Sequence, residues 1–136
     1  MNAPAARAFA YLDTSAFVKL VVREPESEAL AGTLEDWPRR VSSSLLVVEA
    51  VRATVRVSED ASRRAERLLA GVTLIPAELG LLREAARLAP AALRSLDAIH
   101  LATALSLGSE LGAVFAYDER LRAAAGAAAL PVESPA

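Results

Sequence analysis

Short apolar runs alternate along this chain with longer stretches in which apolar residues recur every three or four positions. That alternation predicts an α/β fold with crossover helices. Strands are predicted at 8–12, 40–42, 72–75 and 113–117, with a last edge strand at 130–132 because Pro131 is tolerated only at a sheet edge. The intervening helices are predicted at 14–22, 25–34, from Ser43 or Ser44 to Val57, and at 59–69, 77–88, 95–107 and 118–125. Pro25 suits a first helical turn, Gly71 and Gly108 suit helix ends, and Pro76 and Pro90 act as breakers. The result is one domain over 136 residues, a sheet of about four to five short strands flanked by helices. Met1–Ala6 reads as a loose tail.

Composition narrows what such a fold can do. Apolar residues make up 54% of the chain, but there are only 3 Phe, 2 Tyr and 1 Trp, so Leu, Val and Ala must build the core. With no cysteine, disulfides, thiolate metal sites and cysteine nucleophiles are excluded. A single histidine, His100, excludes a multi-histidine zinc site. A bound metal would rest mainly on oxygen, which favours Mg²⁺ or Mn²⁺. The net charge of −2 argues against strong non-specific DNA binding. Lys19 is the one lysine, and the arginines cluster at Arg39–Arg40, Arg52–Arg56 and Arg63–Arg64–Arg67. Arg suits bidentate phosphate contacts, although compositional bias accounts for most of the excess. No stretch is suited to crossing a membrane, and no basic leader precedes a signal-type core. A cytoplasmic location is expected.

Four acids stand where a parallel sheet places its ligands, beyond the carboxyl ends of strands. Asp13 and Asp118 each follow a strand, although capping the next helix is the commoner role there. Asp97 lies in a helix's first turn, where a carboxylate favours the macrodipole. Its helix, around Leu96–Ala102, is apolar nearly all round, so a charge inside it needs a partner. Glu49 sits among Leu45, Leu46, Val47, Val48, Ala50 and Val51, an expensive place for a carboxylate without a metal or an ion pair. Arg52 or Arg56 on the same helix could supply that pair. A right-handed βαβ path can bring all four acids to one rim. Clustered carboxylates require a cation or raised pKa values, and Mg²⁺ there could drive phosphodiester hydrolysis. Ser15 either positions a water or phosphate oxygen or caps its helix. His100, one turn from Asp97, is read as a buried structural histidine that could also orient that carboxylate. Thr103 is read as packing or bonding back to its own helix.

Four segments, taken together, resemble the PIN-domain family, and specifically its VapC-type toxins from toxin–antitoxin pairs. They are Tyr11-Leu12-Asp13-Thr14-Ser15-Ala16, Ser43-Ser44-Leu45 leading to Glu49-Ala50-Val51-Arg52, Leu93-Arg94-Ser95-Leu96-Asp97-Ala98-Ile99-His100-Leu101-Ala102-Thr103-Ala104, and Tyr117-Asp118-Glu119-Arg120-Leu121. They occur in the family's order over nearly the whole chain, and the third is the most specific. The resemblance implies a central parallel sheet and an endoribonuclease dependent on Mg²⁺ or Mn²⁺. It makes Asp13 and Asp97 the principal metal ligands, with Glu49 and Asp118 completing the site directly or through water. It also implies a VapB-type antitoxin whose C-terminal segment covers the groove, and a homodimer. Helices 25–34 and 59–69 are the candidate contact surfaces. One departure is Ala116, which stands where the family usually carries Thr.

Three rivals fit less well. A phospho-receiver domain and an aspartyl phosphatase both need a late lysine, and Ser15 stands where the phosphatase needs a second Asp. A PIN-fold binding module that titrates an antitoxin or binds RNA without cutting it is the remaining alternative. The sequence does not name the RNA, because loop shape and base contacts decide that.

Overall fold

The computed structural model describes residues 8–136, so the expected tail at Met1–Ala6 lies outside the described residues. The chain runs β1 (Phe9–Leu12), α1 (Thr14–Val21), α2 (Ser27–Leu34), β2 (Arg40–Ser43), α3 (Leu45–Val55), α4 (Glu59–Leu69) and β3 (Thr73–Ile75). It continues through α5 (Leu79–Ala85), α6 (Ser95–Leu105), a 3₁₀ turn (Gly108–Glu110), β4 (Leu111–Phe115), α7 (Glu119–Ala127) and β5 (Val132–Glu133). The five strands form one sheet in the order β3-β2-β1-β4-β5, and every pairing is parallel. The chain builds outward from β1 to β3 and then returns to the other side of β1 for β4. The switch point of the sheet therefore lies between β1 and β4, and ligands of such sheets bind beyond the strand ends at that point.

Alternation along the strands sorts the apolar residues into two layers. Ala10 and Leu12 of β1 and Ala113 and Phe115 of β4 face a core completed by Phe17, Leu30, Leu34, Leu46, Ala50 and Leu69. Tyr11, Val41 and Val114 face the opposite side, against Leu101, Ala104, Leu121 and Ala124. One layer thus rests on α1–α4 and the other on α6 and α7. Among the described residues no buried side-chain polar atom lacks a hydrogen-bond partner, and no helix is long and apolar enough to cross a membrane.

The differences from the expected boundaries have local causes. β4 starts and ends two residues before the expected 113–117. Its end comes early because the Tyr117 amide leaves the ladder and donates to Ser15 Oγ at 2.9 Å. β5 begins after Pro131, whose carbonyl nevertheless accepts from the Val114 amide at 2.8 Å. α5 is shorter than 77–88, closing in a turn in which Leu88 N donates to Ala85 O ahead of Pro90. Pro25 precedes α2 by two residues, so it lies in the lead-in turn and not in the helix. α3 is not buried on all sides either: Val48 and Val55 are about half exposed, at 57% and 50%.

Gly112 in β4 is required for packing. A Cβ there would overlap the Trp37 ring and come within 2.9 Å of Ala8 Cβ, while Trp37 stacks edge-on to Phe115 with centroids 5.5 Å apart. Gly112→Val is expected to destabilise the fold by about 1–3 kcal/mol through overpacking. Urea unfolding would register this as a lower midpoint at unchanged slope.

Candidate functional site

Residues just after β1 do two jobs. Asp13 takes an extended backbone and caps α1, its Oδ1 accepting from the Ala16 amide at 2.8 Å. Ser15 Oγ donates toward both oxygens of Asp13, at 2.7 and 2.9 Å, and accepts from the Tyr117 amide. The Asp13 amide donates to Phe115 O at 3.2 Å. The exits of β1 and β4 are thereby tied together across the switch point. Ser15 is thus not the cap of α1: it orients Asp13, which is the cap.

Asp13 is only 3% exposed. Burial pushes its carboxyl up to about 6, opposed by the Ala16 amide, Ser15 and the His100 ring, with the charge of Asp118 adding to the rise. Asp118 caps α7 in the same way, accepting from Leu121 N at 3.1 Å. Asp97, 9% exposed, lies in the first turn of α6. One side chain joins these two acids: Arg94 donates through Nε to Asp97 Oδ2 and through Nη2 to Asp118 Oδ2, both at 3.1 Å. Arg94, and not Ser95, occupies the cap position of α6, with no side-chain capping bond.

Glu49 enters from α3 and is half-buried. It pairs with neither Arg52 nor Arg56. Its Oε1 accepts from Thr14 Oγ1 at 2.6 Å and from His100 Nε2 at 2.9 Å. Burial alone would raise its carboxyl, but the hydrogen bonds from His100 and Thr14 bring it below the usual range. His100 orients Glu49 and makes no bond to Asp97. Behind it, the Tyr11 hydroxyl meets Nδ1 at 2.7 Å. An ionised carboxylate only accepts, so Nε2 carries the proton toward Glu49 and Nδ1 accepts from Tyr11. Thr103 bonds back to Ile99 O at 2.6 Å, as expected.

The structure therefore gathers Asp13, Asp97 and Asp118 at the switch point, with Glu49 linked to Asp13 through the adjacent Thr14 and through His100. As the side chains stand, no three acidic or histidine residues among those described are placed to hold one ion. The donor set nevertheless suits a hard divalent cation: it is all oxygen, one of its acids is held partly protonated, and two share a guanidinium. Arg94, Tyr11 and Thr14 were not singled out by sequence reasoning. Arg94, three residues before an acid on a helix, was the one legible signal. Beside the rim lies an apolar cleft of about 580 Å³ between the segment at Ala89, Pro90 and Leu93 and the α7 residues Arg120, Ala123 and Ala127.

With this geometry in hand, comparison with known proteins is direct. The PIN domain profile matches residues 10–127. The chain belongs to the PIN-domain family. Ribonuclease VapC46 of Mycobacterium tuberculosis is 46% identical over 125 residues, covering 92% of this chain and 96% of that protein. Ribonuclease VapC35 of the same species is 43% identical over 129 residues, with the same coverage. Among solved structures, that of M. tuberculosis VapC20, described as a toxin cleaving the sarcin–ricin loop, superposes with a TM-score of 0.72. It is 19% identical, and the match covers 95% of this chain and all of that one. At that identity VapC20 supports the PIN fold alone, while VapC46 and VapC35 place the chain among the VapC proteins.

The buried Asp13 generates a stability prediction for the metal-free protein. Its folded-state pKa of about 6 lies above the ordinary aspartate value of 3.8, so the folded state holds this proton more tightly than the unfolded one. The contribution of Asp13 is therefore intact below about pH 4 and is lost as pH rises through 6, by up to about 3 kcal/mol. In EDTA, Asp13→Asn should match the wild type near pH 4 and exceed it by about 1–3 kcal/mol at pH 8. Chemical denaturation at the two pH values tests this. Equal stability at both would contradict the burial account.

Proposed function

We propose that this protein is a metal-dependent endoribonuclease, the toxin of a type II toxin–antitoxin pair, working through Asp13, Glu49, Asp97 and Asp118. The observation that carries the reading is the convergence of Asp13, Asp97 and Asp118, from three separate elements, on the switch point of a PIN-family sheet. The VapC46 and VapC35 relatives, both named ribonucleases, give the reaction class.

VapC ribonucleases of the PIN family are metal-dependent as a rule. In this reading Asp13 and Asp97 hold Mg²⁺ or Mn²⁺, with Asp118 and Glu49 completing the set directly or through water. Bound there, the metal would supply Lewis-acid polarisation of the phosphodiester and make a bound water more acidic than bulk water. The chain's own residues do the positioning. Ser15 fixes the plane of the Asp13 carboxylate and locks it to the end of β4. His100, backed by Tyr11, and Thr14 fix Glu49 as an ionised acceptor.

RNA is the proposed substrate, and a VapB-type antitoxin and a second copy of the chain are the proposed partners. The exposed apolar side chains of Val47, Val48 and Val55 on α3 and Leu68 on α4 support protein contact there. Helix 59–69 was among the expected surfaces, whereas α3 was not. The whole chain acts as one domain and works in the cytoplasm.

Structured RNA incubated with the purified protein should be cleaved in Mg²⁺ or Mn²⁺ and left intact in EDTA. Asp13→Asn and Asp97→Asn should each lower the rate by roughly 100-fold or more, since even outer partners of a metal are worth about 10–100-fold. RNA bound but never cut would favour the binding-module alternative. Cleavage that survives EDTA or both substitutions would overturn the metal-site reading.

A further inference from the structure

We propose that Arg94 is an internal cation that competes with the divalent metal for Asp97 and Asp118, so that the metal must displace its guanidinium from them on binding. This rests on the metal-dependent reading above and adds a residue to it. The geometry is specific. A single guanidinium reaches two carboxylates from different helices, one atom of its fork to each, both at 3.1 Å. Among the described residues, Asp97 and Asp118 have no other side-chain hydrogen-bond partner; Asp118 otherwise accepts only the Leu121 amide.

The three groups also differ in their freedom to move. The Asp97 side chain is 12% exposed and that of Asp118 32%, whereas Arg94 is 56% exposed. Asp118 is held by its capping bond at the start of α7 and Asp97 stands in the first turn of α6, while the more exposed arginine approaches from the solvent side. Its side chain makes no capping bond to a backbone amide of α6. The Arg94–Asp118 contact is exposed, where an Arg–carboxylate pair is weak, and a divalent ion with hard oxygen ligands can replace the guanidinium at both acids. Carboxylates brought together without a cation repel one another. Arg94 meets that need in the metal-free protein and leaves when a better cation arrives. Two consequences follow: Arg94 lowers the apparent metal affinity, and metal binding frees its N–H groups.

Two measurements on the full-length protein test this. The first is calorimetric titration with Mn²⁺ of the wild type, Arg94→Gln and Arg94→Lys. Arg94→Gln should bind about three- to tenfold more tightly. Arg94→Lys should also bind more tightly than the wild type, because its point charge lacks the fork that reaches both acids. The second is ¹H–¹⁵N NMR of the arginine Nε–H groups, with the Arg94 signal identified by its loss in Arg94→Gln. That signal should be protected from solvent exchange in EDTA and lose protection at saturating Mg²⁺. Tight metal binding with unchanged affinity in Arg94→Gln, or an Nε–H signal unaltered at saturation, would overturn the displacement. If Arg94→Gln is tighter but Arg94→Lys matches the wild type, through-space charge alone explains the effect and the proposal fails. Absence of metal binding in all three proteins would overturn the metal-dependent reading itself, and this proposal with it.

Discussion

The need to keep several carboxylates close together in a poorly solvated place governs much of this structure. Asp13 is almost wholly buried at the end of β1, within reach of the Asp118 charge, and it is pushed up to about 6. Asp97 and Asp118 share one guanidinium. Glu49, the acid on the most apolar stretch of sequence, is held below the usual carboxylate range by donors from His100 and Thr14 against the effect of burial. Each acid has a different solution to the same electrostatic problem, and each solution is local. Burying a charge is costly unless it is paired or hydrogen-bonded, so the network around these acids is as complete as the core beneath them.

The topology makes this arrangement possible, and the same residues help to build the topology. The sheet reverses its direction of growth between β1 and β4, leaving the ends of both strands open at one rim. Asp13 and Asp118 start the helices that follow those strands. Ser15 links the two exits by donating to Asp13 and accepting from Tyr117. Folding and chemistry therefore draw on the same side chains in opposite ways. Capping favours an acceptor at Asp13, whereas burial disfavours its charge, and only the chemistry requires that charge. A residue kept against the interest of metal-free stability in this way is characteristic of a functional site.

Much of this was legible in the residues. The 3.6-residue and strand-length periodicities gave the element order and most boundaries, because the helices have one clear apolar face and the turns carry Pro or Gly. The positions of Asp13, Asp97 and Asp118 followed from strand ends and a helix start. Hydrogen bonds between residues far apart in sequence could not be read locally. The ion-pair partner considered for Glu49 was Arg52 or Arg56 on its own helix, but the side chain it meets is His100, 51 residues on. His100 was read as a buried structural histidine, and it is 3% exposed; the lesser possibility, a bond to Asp97 on its own helix, gives way to bonds with Tyr11 and Glu49. Valine and leucine dominate α3, yet Val47 and Val48 face outward, a choice set by packing against neighbouring elements. Arg94 was legible only in part: its bond to Asp97 is an ordinary helical spacing, but the one to Asp118 spans 24 residues and exists only after the sheet has formed.

If the carboxylate cluster is a cation site, a divalent ion must stabilise the folded chain through those acids. Thermal unfolding across a Mn²⁺ or Mg²⁺ series, for the wild type and Asp97→Asn, tests this most directly. The wild-type midpoint should climb steadily with metal, with stabilisation of about 2.7 kcal/mol at a hundred times the dissociation constant, while Asp97→Asn should barely respond. A wild-type midpoint indifferent to metal, or a variant that climbs in parallel with it, would contradict the account.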